Sequence, residues 1–482
     1  MNLSSLKHWL PNLLERGDSI RCKDYEKEIE VLKLKLKGRY NKVFITSRDE
    51  IIKVINEIKS EFGEILTEEV IKCYVYEELS LGELTPLIMD DNLEEIMVVA
   101  RERHVFVYNR LRGMMPTQIF IEEEKVRKLI EKIAKYSGRK ISNSSPLLDA
   151  RLPDGSRVNA TLQGVSPRGS TITIRKFRRE PLTIADLIRY GTLSPYSAAF
   201  LWLAVEGMHS RPANIIVIGG TACGKTTTLN ALSSFIPEDE RIISIEDVLE
   251  INLAHEHWIP LETRPPDSEG NEITMDDLLK NALRMRPDRI IVGEVRAEEA
   301  LTLFTAMNTG HDGCIATLHA NSARETLSRL RSHPMNVPDI MIPALNLIVA
   351  QRRQVEKGKV VRRVFEIVEI SGTEGDNILT NTLFKFDSKS EEIKEVILSG
   401  RYIEELSTLN NMSIVNIKTE IRRREALLEL MVEKNLNRRE IHNIIQLYYN
   451  SPDMAMNNLI HSTTDSGAMM GPSGNRSGLL GI

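Results

Sequence analysis

The sequence predicts an α/β protein: a larger region built on a parallel sheet, preceded by a smaller α+β region. Three observations carry this. Between residues 210 and 365, largely apolar runs at 215–218, 242–245, 290–292 and 314–318 alternate with helical stretches. Parallel strands buried on both faces read this way. Between residues 65 and 178 the runs are shorter and alternate in polarity, separated by Asp-Gly and Gly-Ser turns, the mark of an antiparallel sheet. Finally, the first apolar run opens directly into Gly219-Gly220-Thr221-Ala222-Cys223-Gly224-Lys225-Thr226-Thr227, a glycine-rich turn between strand and helix.

A chain of 482 residues has room for two to four domains and a sizeable core. Its 41% apolar and 27% charged content is ordinary for a globular protein. The net charge of −5 argues against a dedicated nucleic-acid coat protein. The four cysteines, Cys22, Cys73, Cys223 and Cys314, stand far apart without a CxxC pair. Neither a disulfide framework nor a tetrathiolate zinc site is therefore expected, and a reducing cytoplasm suits the chain best. The first 14 residues carry Lys7, His8 and Pro11 and no apolar segment of a secretory signal. No run reaches the roughly 18 apolar residues of a membrane span. The stretches at 198–205 and 340–350 read as core, so any membrane role is peripheral.

Taken in order, residues 1–64 form a charge-dense helical region whose Lys/Glu alternation suits a solvated helix face or a docking arm. Residues 65–178 form the small α+β domain. It opens on a helix over 66–79, followed by strands at Glu95-Ile-Met-Val-Val, His104-Val-Phe-Val-Tyr, Arg157-Val-Asn-Ala-Thr-Leu and Ser170-Thr-Ile-Thr-Ile-Arg. A connector at 179–209 leads to the nucleotide domain at 210–365. Residues 366–455 read as a hairpin, 364–370 with 379–386, and two charged helices near 414–434 and 438–449. The tail, 456–482, is rich in Ser, Gly and Met from His461 onward and reads as disordered.

Gly219-x4-Gly224-Lys225-Thr226 is a phosphate-binding loop in the context that motif requires. Its glycines let backbone N–H groups turn around an anion at a helix N-terminus. Lys225 is placed for the β- and γ-phosphates and Thr226 for Mg²⁺. Ligands of doubly wound sheets lie at the carboxyl ends of strands. The run at 242–245 leads into Glu246-Asp247, the one at 290–292 into Gly293-Glu294, and the one at 314–318 into His319. Glu246 and Glu294 suit metal holding and water orientation, in either division of labour. His319 suits γ-phosphate sensing or a structural role. Arg151, Arg157 and Arg175 cluster ahead of the nucleotide domain and suit either transition-state charge stabilisation or surface ion pairs. The His255-x-His257 pair reads as strand alternation rather than a metal site. His311 adds little.

Several of these segments resemble one family. Ile245-Glu246-Asp247 is similar to the Asp box of the type II/type IV secretion ATPase superfamily, and residues 281–296 to its Walker B region. Residues 306–313 with Thr317-Leu-His-Ala-Asn321 resemble its His box, and Leu261-Glu-Thr-Arg-Pro-Pro266 resembles its tight-adherence pilus and archaeal pilus or archaellum branch. Residues 145–159 of the small domain are similar too. The resemblance covers about 65–365. It implies a RecA-like nucleotide domain behind a PAS-like small domain, using ATP and Mg²⁺. It also implies a homohexamer acting on a polytopic membrane platform protein of a pilus or secretion machine. Small-domain arginines reach the γ-phosphate in that family, which casts Arg151, Arg157 and Arg175 in the role. The tetra-cysteine zinc module of many general-secretion ATPases is absent, and Cys223 stands where the family usually has Ser. That thiol is either reactive, through its helix N-terminus, or a small residue fitting a tight loop. The alternative reading is a RecA-like hexameric nucleic-acid translocase. The net charge and the absence of aromatics interleaved with a basic stripe argue against it, so nucleic acid is not an expected partner. A non-hydrolysing scaffold is disfavoured by the acids and the lysine.

Overall fold

The computed structural model describes residues 22–461, apart from 37, 41–42, 101–102, 111, 178–180, 265, 267–269, 357–358 and 376. The first 21 residues and nearly all of the serine- and glycine-rich tail lie outside the described residues. The chain divides into two compact units, Met1–Arg179 and Glu180–Ile482.

The first unit begins with helices Glu26–Lys35, Arg48–Phe62 and Glu68–Tyr74. In the second of these, Ile51, Val54, Ile55 and Ile58 fall on one face and are buried, the spacing of an amphipathic helix. They meet Leu32, Ile71 and Tyr74 in a small core. That packing brings Cys22 and Cys73 together across 51 residues of sequence as a disulfide, with Cα atoms 5.4 Å apart. The expectation of unpaired cysteines is thereby corrected. Pairing follows from helix packing, which sequence spacing does not report. After these helices come strands β1 (Leu93–Val99), β2 (His104–Asn109), β3 (Gly113–Phe120), β4 (Leu147–Arg151), β5 (Arg157–Thr161) and β6 (Thr171–Arg175). They form one sheet in the order β3-β2-β1-β6-β5-β4, antiparallel throughout. The helix Glu123–Tyr136 lays Val126, Ile130 and Ile133 into the core of this sheet. The β4–β5 turn passes through Gly155 at φ +89°. It is anchored by Thr46, whose hydroxyl donates to Asp154 at 2.7 Å.

The second unit holds strands β7 (Ile215–Gly219), β8 (Ile242–Glu246), β9 (Trp258–Glu262), β10 (Arg289–Val295), β11 (Ile315–Leu318), β12 (Leu347–Glu356), β13 (Lys359–Glu374), β14 (Asn377–Asp387) and β15 (Glu392–Glu395). Their order is β15-β14-β13-β12-β7-β11-β10-β8-β9. The six from β12 to β9 are parallel, and β13, β14 and β15 extend the sheet antiparallel. The sheet therefore continues well past residue 365, through the segment read as a C-terminal hairpin.

Alternation along the parallel strands explains their apolar character. Ile215, Val217, Ile291, Ile315, Leu347 and Val349 face one core. Ile216, Ile218, Ile243, Ile245, Val292 and Leu318 face the other. Each such side chain, fully buried, contributes about 1.5–3 kcal/mol. The first core is covered by helix Pro195–Glu206, buried from Ser197 to Glu206, and by C-terminal helices that supply Tyr402, Ile421 and Ile445. Ser194 and Ser197 close a capping box at the start of the buried helix, and Gly207 ends it at φ +73°. Among the described residues no helix is long and apolar enough to cross a membrane.

Candidate functional site

β7 lies between β11 and β12 in the sheet, so the turn that follows it emerges at the centre of the parallel core. A Cβ on Gly219 would stand 2.4 Å from both the Cys223 Sγ and the Gln351 carbonyl oxygen, so only glycine permits this approach. Gly224 takes φ +95° as the N-cap of helix Lys225–Ser233, a conformation other residues adopt at a cost. Ala222 is left-handed as well, at φ +57°. The turn is held from outside. The Thr228 hydroxyl donates to Gln351 Oε1 at 2.8 Å, and Arg362 Nε donates to the Ala222 carbonyl at 3.0 Å. The outcome is a loop braced from outside at a helix N-terminus, where backbone amides suit an anion.

The candidate acids stand on the neighbouring strands. Lys225 Nζ lies 3.5 Å from Glu294 Oε1 and 3.5 Å from the Gly220 carbonyl. Glu294 sits where β10 departs from regular pairing. Its register with β11 shifts between Val292 and Val295, and the Thr317 hydroxyl donates to the Gly293 carbonyl at 2.6 Å. Such irregularities re-aim a side chain. Arg296, on the same face two residues later, donates to Glu294 through Nε at 2.9 Å and reaches Asp247 at 3.2 Å. Burial alone would raise the Glu294 carboxyl, but Arg296 and Lys225 outweigh it and hold it below the ordinary range.

Glu246 is placed differently. It is 3% exposed, and its carboxylate accepts the backbone N–H of Glu250 at 2.9 Å and of Ile251 at 3.0 Å. It thus braces the loop that follows β8. A Cβ on Gly293 would come within 2.8 Å of the Glu246 Cγ, so this glycine makes room for one acid beside the other. His319 directly follows Leu318, which pairs with Ile218 on one side and Val295 on the other. It therefore stands between the phosphate loop and the Glu294 strand. Asn321 fixes the turn after it, donating from its backbone and side chain to Glu325 at 2.9 and 3.0 Å. These bonds, the backbone one foremost, lower the Glu325 carboxyl.

The Thr226 hydroxyl and the Glu294 carboxylate are hard oxygen donors of the kind a magnesium–phosphate centre uses. Among the described residues no group of three or more His, Cys, Asp and Glu side chains gathers to hold a metal unaided. A cation at this point would take its remaining ligands from phosphate and water.

Other candidates fall elsewhere. Arg151, Arg157 and Arg175 lie in one row across β4, β5 and β6, Arg151 opposite Arg157 and Arg157 opposite Arg175. Directly opposed residues share a sheet face, so the first unit gathers these three cations. Cys223 is 1% exposed, and burial pushes its thiol up despite Lys225 nearby. Of the two readings of Cys223, this placement favours the small residue fitting a tight loop, with its Sγ in the space under Gly219. His255 and His257 both precede β9, so strand alternation does not account for them. His255 Nε2 meets the Pro237 carbonyl at 3.0 Å, and His257 Nε2 meets Arg241 at 2.9 Å. His311 lies before β11, at the end of that strand opposite His319. No sequence pattern assigns a role to Arg296, Gln351 or Arg362 as single residues. Gln351 was within reach, because it ends a fifth buried run at 347–350 to which the strand-end rule applies. Arg362 lies mid-strand, where no pattern marks it.

With this geometry in place, comparison with known proteins is decisive at the family level. A family model described as type II/IV secretion system protein matches residues 77–466. The chain belongs to that family. The match takes in both sheets and every candidate residue from Arg151 to His319 of this secretion-family chain. An uncharacterised Methanocaldococcus jannaschii protein is 35% identical over 421 residues, covering 86% of this chain and 74% of that protein. A second uncharacterised protein from the same organism is 53% identical over 239 residues, 49% of this chain. The chain covers 33% of that longer relative's length. The crystal structure of the VirB11 ATPase from the Brucella suis type IV secretion system, in complex with sulphate, is similar at 28% identity and a TM-score of 0.31. That likeness covers 59% of this chain and 94% of the other.

Proposed function

We propose that this secretion-family chain is a Mg²⁺-dependent ATPase with a RecA-like nucleotide domain and a PAS-like small domain. In this reading it works as a homohexamer that drives assembly of a type IV pilus-like filament, or secretion, by acting on a membrane platform protein from the cytoplasmic side. The observation that carries the reading is Lys225 Nζ standing 3.5 Å from Glu294 at the mouth of the phosphate loop. A phosphate-binding cation and a water-orienting acid thus share one point. Loop amides from Gly219 to Thr227 receive the polyphosphate, and Lys225 exchanges its contact with Glu294 for the β- and γ-phosphates. Bound Mg²⁺ supplies charge neutralisation at the γ-phosphoryl group, with Thr226 and Glu294 as its protein-side partners.

Glu294, held ionised by Arg296, orients the attacking water. The new P–O bond forms as the bond to the bridging β–γ oxygen breaks, releasing ADP and phosphate. Glu246 serves the site by holding the 247–251 loop, and His319 stands where loss of the γ-phosphate is felt. Arg151, Arg157 and Arg175, gathered on one row, supply the transition-state charge. The catalysis is positioning and electrostatics.

The test is co-purification from membranes of wild type and a Lys225→Ala variant. A polytopic membrane protein retained with both, together with ATP-dependent release only from wild type, supports the reading. Turnover stimulated by single-stranded DNA, with no membrane protein retained, overturns it.

A further inference from the structure

Arg362 lies on β13, outside every motif of the site, yet its side chain crosses the phosphate loop. Its Nε donates to the Ala222 carbonyl at 3.0 Å. Its Cδ packs so close to Gly224 that a Cβ there would meet it at 3.3 Å. Ala222 is the one non-glycine residue of the loop with left-handed φ, at +57°, a conformation that costs a residue with a side chain about 1–2 kcal/mol. The carbonyl Arg362 holds belongs to the peptide plane shared with Cys223. This peptide is trans, since among the described residues the one cis bond is His333–Pro334. In a trans plane the C=O and the following N–H point in opposite directions. Holding the Ala222 carbonyl toward β13 therefore turns the Cys223 N–H away from Arg362.

We propose that Arg362 is a positioning residue for the polyphosphate, presetting one amide of the anion ring by gripping the opposite end of its peptide plane. The β12–β13 hairpin is well placed to hold that grip. Gln351 of β12 pairs with Gly219 and takes the Thr228 hydroxyl at 2.8 Å; Arg353, opposite Arg362 across the ladder, is outside this grip and supplies the control for nearby positive charge. The loop is thus pinned at Gly219, Ala222 and Thr228 by one hairpin. This inference rests on the reading of the loop as a nucleotide site.

The experiment measures binding of a fluorescent ATP analogue with MgCl₂, and phosphate release, for the full chain and four variants: Arg362→Ala, Arg362→Lys, Arg353→Ala and Lys225→Ala. Arg362→Ala should weaken binding by about ten-fold, the scale of one lost hydrogen bond from a charged donor. It should raise KM while leaving kcat within about two-fold, with the thermal melt of the nucleotide-free protein unchanged. Arg362→Lys should recover part of the affinity, and Arg353→Ala should bind as wild type does. Arg362→Ala binding like wild type overturns the proposal. So does an equal loss in Arg353→Ala, because general positive charge rather than the peptide grip would then be responsible. Failure of the underlying reading looks different: wild type and Lys225→Ala would bind the analogue equally.

Discussion

Two charged clusters in the second unit use the same residue types for opposite ends. Among the C-terminal helices, Arg424 has a side chain only 5% exposed and bonds Glu206 and Glu420 at 3.0 Å each. Its guanidinium lies over the rings of Trp202 and Tyr448 at 5.3 and 5.5 Å. At the strand ends, Lys225 and Glu294 are 11% and 23% exposed and meet at 3.5 Å. The first cluster is centred on a buried guanidinium held by two carboxylates and two rings, the mark of a structural lock. In the second, Arg296 holds Glu294 closely while the Lys225–Glu294 contact is the long one, so Lys225 is the partner placed to exchange it for a ligand. Charge alone does not separate the two clusters; the length of the Lys225–Glu294 contact against the ring-packed Arg424 does.

Substitutions should separate the two clusters, and the largest effect belongs to the lock. Arg424→Leu leaves Glu206 buried without its cation and should cost about 3–5 kcal/mol, read as a lowered denaturant midpoint. Folded Arg424→Leu protein should still bind nucleotide; loss of binding without loss of stability would break the contrast. Lys225→Ala should weaken Mg-ATP binding at least about 100-fold, or about 2.7 kcal/mol, with an unchanged midpoint by the same measure. Arg296→Ala removes one partner of Glu294 and should lower kcat about five-fold, on the scale of a single hydrogen bond. Cys223→Ser should change both stability and turnover by less than about 0.5 kcal/mol, and alkylating reagents should react slowly with the folded wild type.

Much of the site was legible because its chemistry is local in sequence. The phosphate loop, the acids at 246 and 294 and the histidine at 319 each follow a buried run, and one strand-end rule finds them all. What sequence could not assign was the standing of each acid. Glu246 and Glu294 read alike, and the structure separates them: the β8 loop folds back on Glu246, while Lys225 and Arg296 meet Glu294. The grip of Arg362 on Ala222 spans 140 residues, and the Cys22–Cys73 bond spans 51. Contacts of that range arise from packing, so periodicity and spacing carry no trace of them. The same holds for the extent of the sheet. β13 and β14 read as a separate hairpin because their alternation is local, whereas their pairing to β12 is a long-range fact.

The central claim is that the strand-end cluster of Lys225 and Glu294 is hydrolytic. Its most direct test is phosphate release from Mg-ATP by wild type and Glu294→Gln, measured alongside bound nucleotide in the same samples. The variant should bind as wild type does and release phosphate at least about 100-fold more slowly. Equal release from both would contradict the account.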